Sequence, residues 1–295
     1  AQAKRQTRRP TQGAAFAKQR RFTSRNLSMS VKSSLFLLFL FLEGLVFGQT
    51  WQLEKELLLK DSTYRWTSDE WGQLYQWKEN TIWLQQNQNQ APFQETYKIL
   101  GEISEVQAIS GLRALVFSEG QQMMGIIDNT LQLKEDLLAF YNFNLSNISK
   151  VAISNRPDFI WLFDQYRERL ILFNINTAQA VQVVDNCFEG IQDAQIVQFF
   201  EYQQNLICHL SDGRFFEFDR NLTLVKKLTL APGLTLFGYQ NEIWLQDQNW
   251  IEKLKPSFQS SRIELPIQNY QQLQVLQDRF YFQQGRKISV YRLKM

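Results

Sequence analysis

From about residue 60 onward the chain repeats one pattern about six times: a short apolar strand, an acidic or polar turn, an aromatic strand, and a tight turn into the next strand. The pattern is plainest at 109–116, 153–163, 200–210, 238–245 and 276–282. One copy can bury only part of its apolar surface by itself, so the copies must stack on one another. Radial stacking of four-stranded units gives an all-β propeller.

The repeat length sets the number of units. Second strands are expected to begin near Leu74, Ala114, Phe159, Leu206, Glu242 and Arg279, at intervals of 40, 45, 47, 36 and 37 residues. Blades of four strands recur at about 40–50 residues, so six blades are expected, with seven as the alternative if a long interval hides extra strands. The last unit ends before a fourth strand, whereas the segment that starts at Trp51 precedes the first unit and lacks a sheet. Pairing these two leftovers completes the sixth blade, closes the ring and removes an open edge.

The first 48 residues obey different physics. Residues 1–34 carry nine Lys or Arg and no acid, followed by the run Leu35-Phe-Leu-Leu-Phe-Leu-Phe-Leu42, which Glu43 interrupts. This run is shorter than the roughly 20 residues of a bilayer span and suits the apolar region of a signal peptide. We expect a basic leader or upstream extension without a fold at 1–28, a signal peptide at 29–48, and one propeller domain at 49–295. Export to the periplasm follows, with no stable membrane span after cleavage. Without the leader the chain keeps 23 basic and 28 acidic residues, a net charge of −5. The basic balance of the whole chain, +3, therefore belongs to the leader, and the domain lacks the positive field that gathers nucleic acid.

Chemistry-bearing residues are sparse. His209 is the sole histidine, in Leu206-Ile-Cys-His-Leu-Ser-Asp-Gly213, and reads as a strand-end residue near solvent. Asp212 and Asp219 are its nearest possible orienters, but no nucleophile stands in a recognisable elbow. Zinc needs several His or Cys ligands. A hard cation needs oxygen ligands from several directions, and the expected inner strands at 64–67, 106–110, 148–154, 196–200, 234–238 and 273–277 place only Glu105, Asp193 and Glu201 at their margins. The expectation is therefore no catalytic residue, no metal and no cofactor. Asp69, Asp128, Asp164 and Asp219 follow apolar strands and read as turn residues. Cys187 and Cys208, an even pair in an exported chain, permit one disulfide.

Most tryptophans fall on strands and read as packing between blades. Trp71 instead lies in the turn Ser68-Asp-Glu-Trp-Gly72, and Arg113 and Arg156 lie at the equivalent turns of the next two blades. Equivalent turns share one end of a propeller, so Trp71, Arg113 and Arg156 form a candidate partner-binding patch.

The segments Trp66-Thr-Ser-Asp-Glu-Trp-Gly-Gln-Leu-Tyr75, Ile126-Ile-Asp-Asn-Thr-Leu131, Ile160-Trp-Leu-Phe-Asp-Gln165 and Phe216-Glu-Phe-Asp219 resemble those of an uncharacterised group of exported propeller-like proteins of Bacteroidota. Similar apolar runs ending in Asp occur in propellers of the NHL and sugar-lactonase kind. The resemblance implies a fold and no particular activity. Together these readings point to a non-catalytic binding or scaffold module of the cell envelope, with an envelope protein or glycan as partner. The alternative is a lactonase-like or carbohydrate-binding propeller that uses its central channel.

The leader reading sets a direct expectation. Mass spectrometry of the exported protein should find an N-terminus near Gln49, whereas intact 29–295 in membranes would make the apolar run an anchor.

Overall fold

The computed structural model describes residues 50–87, 90–145, 147–188, 194–255 and 262–294. The leader, the signal-peptide segment and Asp193 lie outside the described residues. Six four-stranded antiparallel sheets follow one another along the chain, so the architecture is a six-bladed all-β propeller and the seven-bladed alternative is set aside.

Blade I comprises β2 (Arg65–Ser68), β3 (Leu74–Lys78), β4 (Thr81–Gln85) and β5 (Phe93–Thr96). Blade II comprises β6 (Glu105–Ser110), β7 (Arg113–Ser118), β8 (Met123–Asp128) and β9 (Leu138–Ala139). Blade III runs through β10 (Ile148–Ile153), β11 (Phe159–Asp164), β12 (Arg169–Asn174) and β13 (Gln179–Val184). Blade IV holds β14 (Ile196–Tyr202), β15 (Asn205–Leu210), β16 (Arg214–Phe218) and β17 (Leu224–Thr229). Blade V holds β18 (Thr235–Tyr239), β19 (Glu242–Gln246), β20 (Trp250–Lys253) and β21 (Ile263–Glu264).

Blade VI joins the two ends of the domain. β22 (Gln272–Leu276), β23 (Arg279–Gln284) and β24 (Lys287–Lys294) are completed by β1 (Thr50–Leu58), which pairs with β24 from Thr50 opposite Lys294 to Leu58 opposite Lys287. Glu54 spans the seam, with its two carboxylate oxygens 2.9 Å from Arg279 Nε and 3.0 Å from Arg292 Nε.

The core is divided by the blades. Six apolar clusters occur among the described residues, and each lies between two neighbouring blades. At the III–IV junction Phe188 sits between Phe163 of one blade and Phe216 and Phe218 of the next, with ring centroids 5.5, 4.9 and 6.0 Å away. Trp51 of β1 packs edge-on against Phe280 at 4.9 Å and donates its indole N–H to the Glu264 carbonyl of blade V at 2.7 Å. Cys187 and Cys208 are free thiols that share the III–IV cluster; Cys187 donates to the Glu168 carbonyl, and burial pushes its thiol up to about 12.

The turn aspartates have a shared structure. Asp69, Asp128 and Asp219 each accept backbone N–H bonds on Oδ1 from the residues two and four positions on. The residue three positions on takes a left-handed backbone, at φ 77° for Gly72, 66° for Leu131 and 60° for Leu222. Leucine is strained there, and burial of Leu131 and Leu222 in the apolar clusters offsets the strain. Asp164 departs from this pattern. It is buried and receives Arg169 Nε at 3.1 Å and Nη2 at 3.0 Å on one oxygen, with the Arg167 N–H on the other.

Deleting 49–60 should remove several backbone hydrogen bonds, each worth about 0.5–1.5 kcal/mol, and uncover two apolar clusters at once. Aggregation or a large drop in melting temperature is expected by scanning calorimetry; an unchanged transition would show that β1 does not hold the ring closed.

Candidate functional site: the channel and the Trp71 turn

The inner strands surround a central channel with a cavity of about 810 Å³. Glutamine dominates its polar wall. Gln107 of β6 reaches the next blade, where Nε2 donates to the Val151 carbonyl at 2.8 Å and Oε1 accepts the Ile153 N–H at 3.0 Å. Gln198 of β14 treats Leu236 in the same way, at 2.8 and 2.7 Å. A neutral amide offers one donor and one acceptor side, as a peptide group does, and so satisfies an inner strand edge that has no neighbouring strand.

The structure moves two carboxylates from the margins onto the channel wall. Glu105 is the first residue of β6, and burial raises its pKa against the opposing pull of the Gln107 amide, Lys150 and Arg65. Glu201 lies inside β14, because that strand continues to Tyr202 before a turn in which both Gln203 and Gln204 adopt left-handed φ. It accepts the Asn155 N–H at 3.1 Å and the Trp161 indole N–H. Glu201 therefore fastens blade III to blade IV. Among the described residues no three His, Cys, Asp or Glu side chains come together as metal ligands.

His209 is buried at 4% exposure, not near solvent as its neighbouring turn residues imply. Its Nδ1 lies 3.2 Å from Gln198 Oε1, which also accepts the Leu236 N–H. Because that oxygen is an acceptor, Nδ1 carries the proton and Nε2 keeps a buried lone pair without a partner among the described residues. Asp212 is engaged by Arg214 at 2.7 Å, and Asp219 caps its own turn. The Ser/His/Asp arrangement does not assemble on His209.

The turns that join the first and second strands lie at one end of the ring; Trp71 and Arg156 lie in two of them, whereas Arg113, expected in the equivalent turn, is the first residue of β7 just after it. The Trp71 turn is built rigidly. Its backbone N–H is held by Asp69 at 3.0 Å, and Glu70 Oε1 accepts the Gly111 N–H of blade II at 3.2 Å. Gln73 Nε2 donates to the Gly111 carbonyl at 3.2 Å. The indole lies so closely on Gly111 that a Cβ there would fall 2.1 Å from the ring. Trp71 still leaves 59% of its surface open, beside Leu112 at 53%. Arg113 is exposed at the start of β7, while Arg156 donates to the Arg220 carbonyl of blade IV at 2.9 Å. Glycine at 111 was the missed sequence signal, since only a residue without Cβ admits the ring.

No family model matches the chain, and no curated protein matches it. Among solved structures it is similar to virginiamycin B lyase from Staphylococcus aureus, with TM-score 0.56 and 10% identity over 83% of this chain and 100% of that one. It is also similar to BBS1N, solved in complex with ARL6DN, with TM-score 0.55 and 10% identity over 81% of this chain and 79% of that one. At such identity the likeness is one of fold.

Burial holds the His209 pKa below its ordinary value of 6.5, against a raising influence from Asp212. The unfolded chain takes up a proton that the folded ring resists, so the His209 contribution is complete above about pH 6.5 and is lost as pH falls below it. Denaturant melts at pH 7.5 and 5.5 should show the loss, and His209→Gln should reduce it. An identical pH dependence in the variant would remove His209 from the acid response.

Proposed function

We infer that this chain is a non-catalytic binding or scaffold propeller of the cell envelope, exported to the periplasm through the signal peptide at 29–48 and engaging its partner through the Trp71 end of the ring. The observation that carries this reading is the construction of the Trp71 turn. A large ring is held in one place by Asp69 and Gly111 while more than half of it stays open, with exposed Leu112 beside it. A preorganised aromatic loses little conformational freedom on binding, which is why such residues anchor interfaces.

The channel supports the same reading from the other side. Its glutamines at two junctions and Glu201 at a third are engaged in joining blades, and His209 adjoins one of these fasteners. Groups occupied in this way are poor candidates for proton transfer. The neighbours of shared fold include a lyase and a protein solved with a partner, so the fold by itself does not choose between the classes.

Replacing Trp71, Arg113 and Arg156 together with Ala should cost no more than about 1–2 kcal/mol and should abolish recovery of a partner that the wild type captures from an envelope extract and that mass spectrometry identifies. Asp128→Asn, in a turn of blade II, should keep that partner. Equal capture by the triple variant and the wild type would place the interaction elsewhere.

A further inference from the structure

The outer edge of blade II is interrupted. Leu133 bridges to Ile127 and the Lys134 N–H donates to the Ile126 carbonyl at 2.9 Å, so the chain first follows the edge of β8. It leaves that edge at 135–137 and returns as β9, whose two residues pair with Met123 and Met124. Leu133 and Leu137 close over Gly125, where a Cβ would fall 3.0 and 2.6 Å from their Cδ2 atoms. Glycine at 125 lets both leucines lie on the backbone.

Beside this excursion the outer wall of blade II holds a cleft of about 900 Å³. Its deeper lining is Met123, Leu137 and Ala139. Around them stand Leu133, Ile99 on the 3-10 turn Lys98–Leu100, and Tyr141 on the 3-10 turn Phe140–Phe143. Ile99, Leu133 and Tyr141 remain exposed by 60, 39 and 63%. Large apolar side chains gathered at one cleft inside a polar rim mark an interaction surface.

The rim decides what fits. Lys134, Glu135 and Asp136 are consecutive and exposed, and among the described residues their side chains form no hydrogen bond and no ion pair. Lys134 exerts only the smallest of the pulls on the Asp128 carboxyl. A partner with a single sign of charge would meet a like charge at this rim, which is costly. A base beside two acids is complemented by its own copy turned through a two-fold axis, because residue i then meets residue j twice over.

We propose that the outer wall of blade II is the interface of a two-fold symmetric dimer of this chain. Ile99, Leu133 and Tyr141 form its apolar centre, and Lys134 of each copy pairs with Glu135 and Asp136 of the other. The cleft shares no lining residue with the channel or with the Trp71 turn, so the dimer does not depend on the partner-binding reading.

Sedimentation velocity of the purified protein over a concentration series should show a monomer in equilibrium with a dimer. Ile99→Asp, at an exposed position, should weaken the association by about tenfold or more while circular dichroism shows an intact fold. Lys134→Glu in one variant, and Glu135→Lys with Asp136→Lys in another, should each weaken it by about tenfold or more, because the two-fold axis then sets like charges opposite each other. An equal mixture of these two charge variants should dimerise again, and the Trp71/Arg113/Arg156 triple variant should dimerise as the wild type does. The proposal is overturned if the wild type stays monomeric throughout, if Ile99→Asp or either charge variant dimerises as tightly as the wild type, if the mixture fails to associate, or if the triple variant is monomeric.

Discussion

A four-stranded blade has two broad faces and no means of covering either by itself. Each face here is apolar and is covered only by the neighbouring blade, so the six inter-blade clusters make the ring interdependent. Closure is where this dependence concentrates. β1 supplies Trp51 to the V–VI cluster and Leu57 to the VI–I cluster, so one nine-residue segment supports two junctions. Because β1 pairs with the far end of the domain, the closing contacts span almost its whole length, and such non-local pairing is slow to nucleate.

The same geometry creates a polar problem at the axis. Each inner strand has one edge paired in its blade and one edge facing the channel, where no strand can reach it. Glutamine answers this requirement because its amide presents a donor and an acceptor without charge. A carboxylate can only accept, and accordingly Glu201 is placed where two donors, Asn155 N–H and the Trp161 indole, converge. Such glutamine contacts recur at the II–III, IV–V and VI–I junctions, every second one around the ring, and at the third Gln274 bonds through Nε2 alone among the described residues.

The fold was largely legible in the sequence because middle strands of the blades, such as β7, β11 and β12, are buried on both faces and read as continuous apolar runs. The missing fourth strand of the last unit identified its own partner. The site was less legible, for two physical reasons. His209 stands beside Ser-Asp-Gly, which reads as a solvent turn, yet β15 stays buried to its last residue, and His209 is buried with it. Glu201 was read at a strand margin because Gln203-Gln204 carries no turn signature. Both glutamines nevertheless accept left-handed φ, of 51° and 68°, and the strand extends to meet them. Side-chain amides that replace a missing strand leave no periodic trace, since any polar residue at that position fits the alternation equally well.

Two kinds of close approach then give the ring its rigid features. Tyr202 lies on Gly238 of blade V as Trp71 lies on Gly111 of blade II, each ring 2.1 Å from where a Cβ would stand. In both, an aromatic at the first turn of one blade or at the strand end that leads into it covers backbone in the next. Tyr202 also accepts the Asn241 N–H at 2.9 Å and takes part in the channel wall, so its ring is tied down on the inside. Among the described residues Trp71 has no side-chain bond of that kind, and it faces outward, held by the packing beneath it and by the backbone bond to Asp69. The same device therefore packs one blade against the next at the IV–V junction and leaves an open aromatic surface at the I–II junction. What separates the two is which way the uncovered face of the ring points.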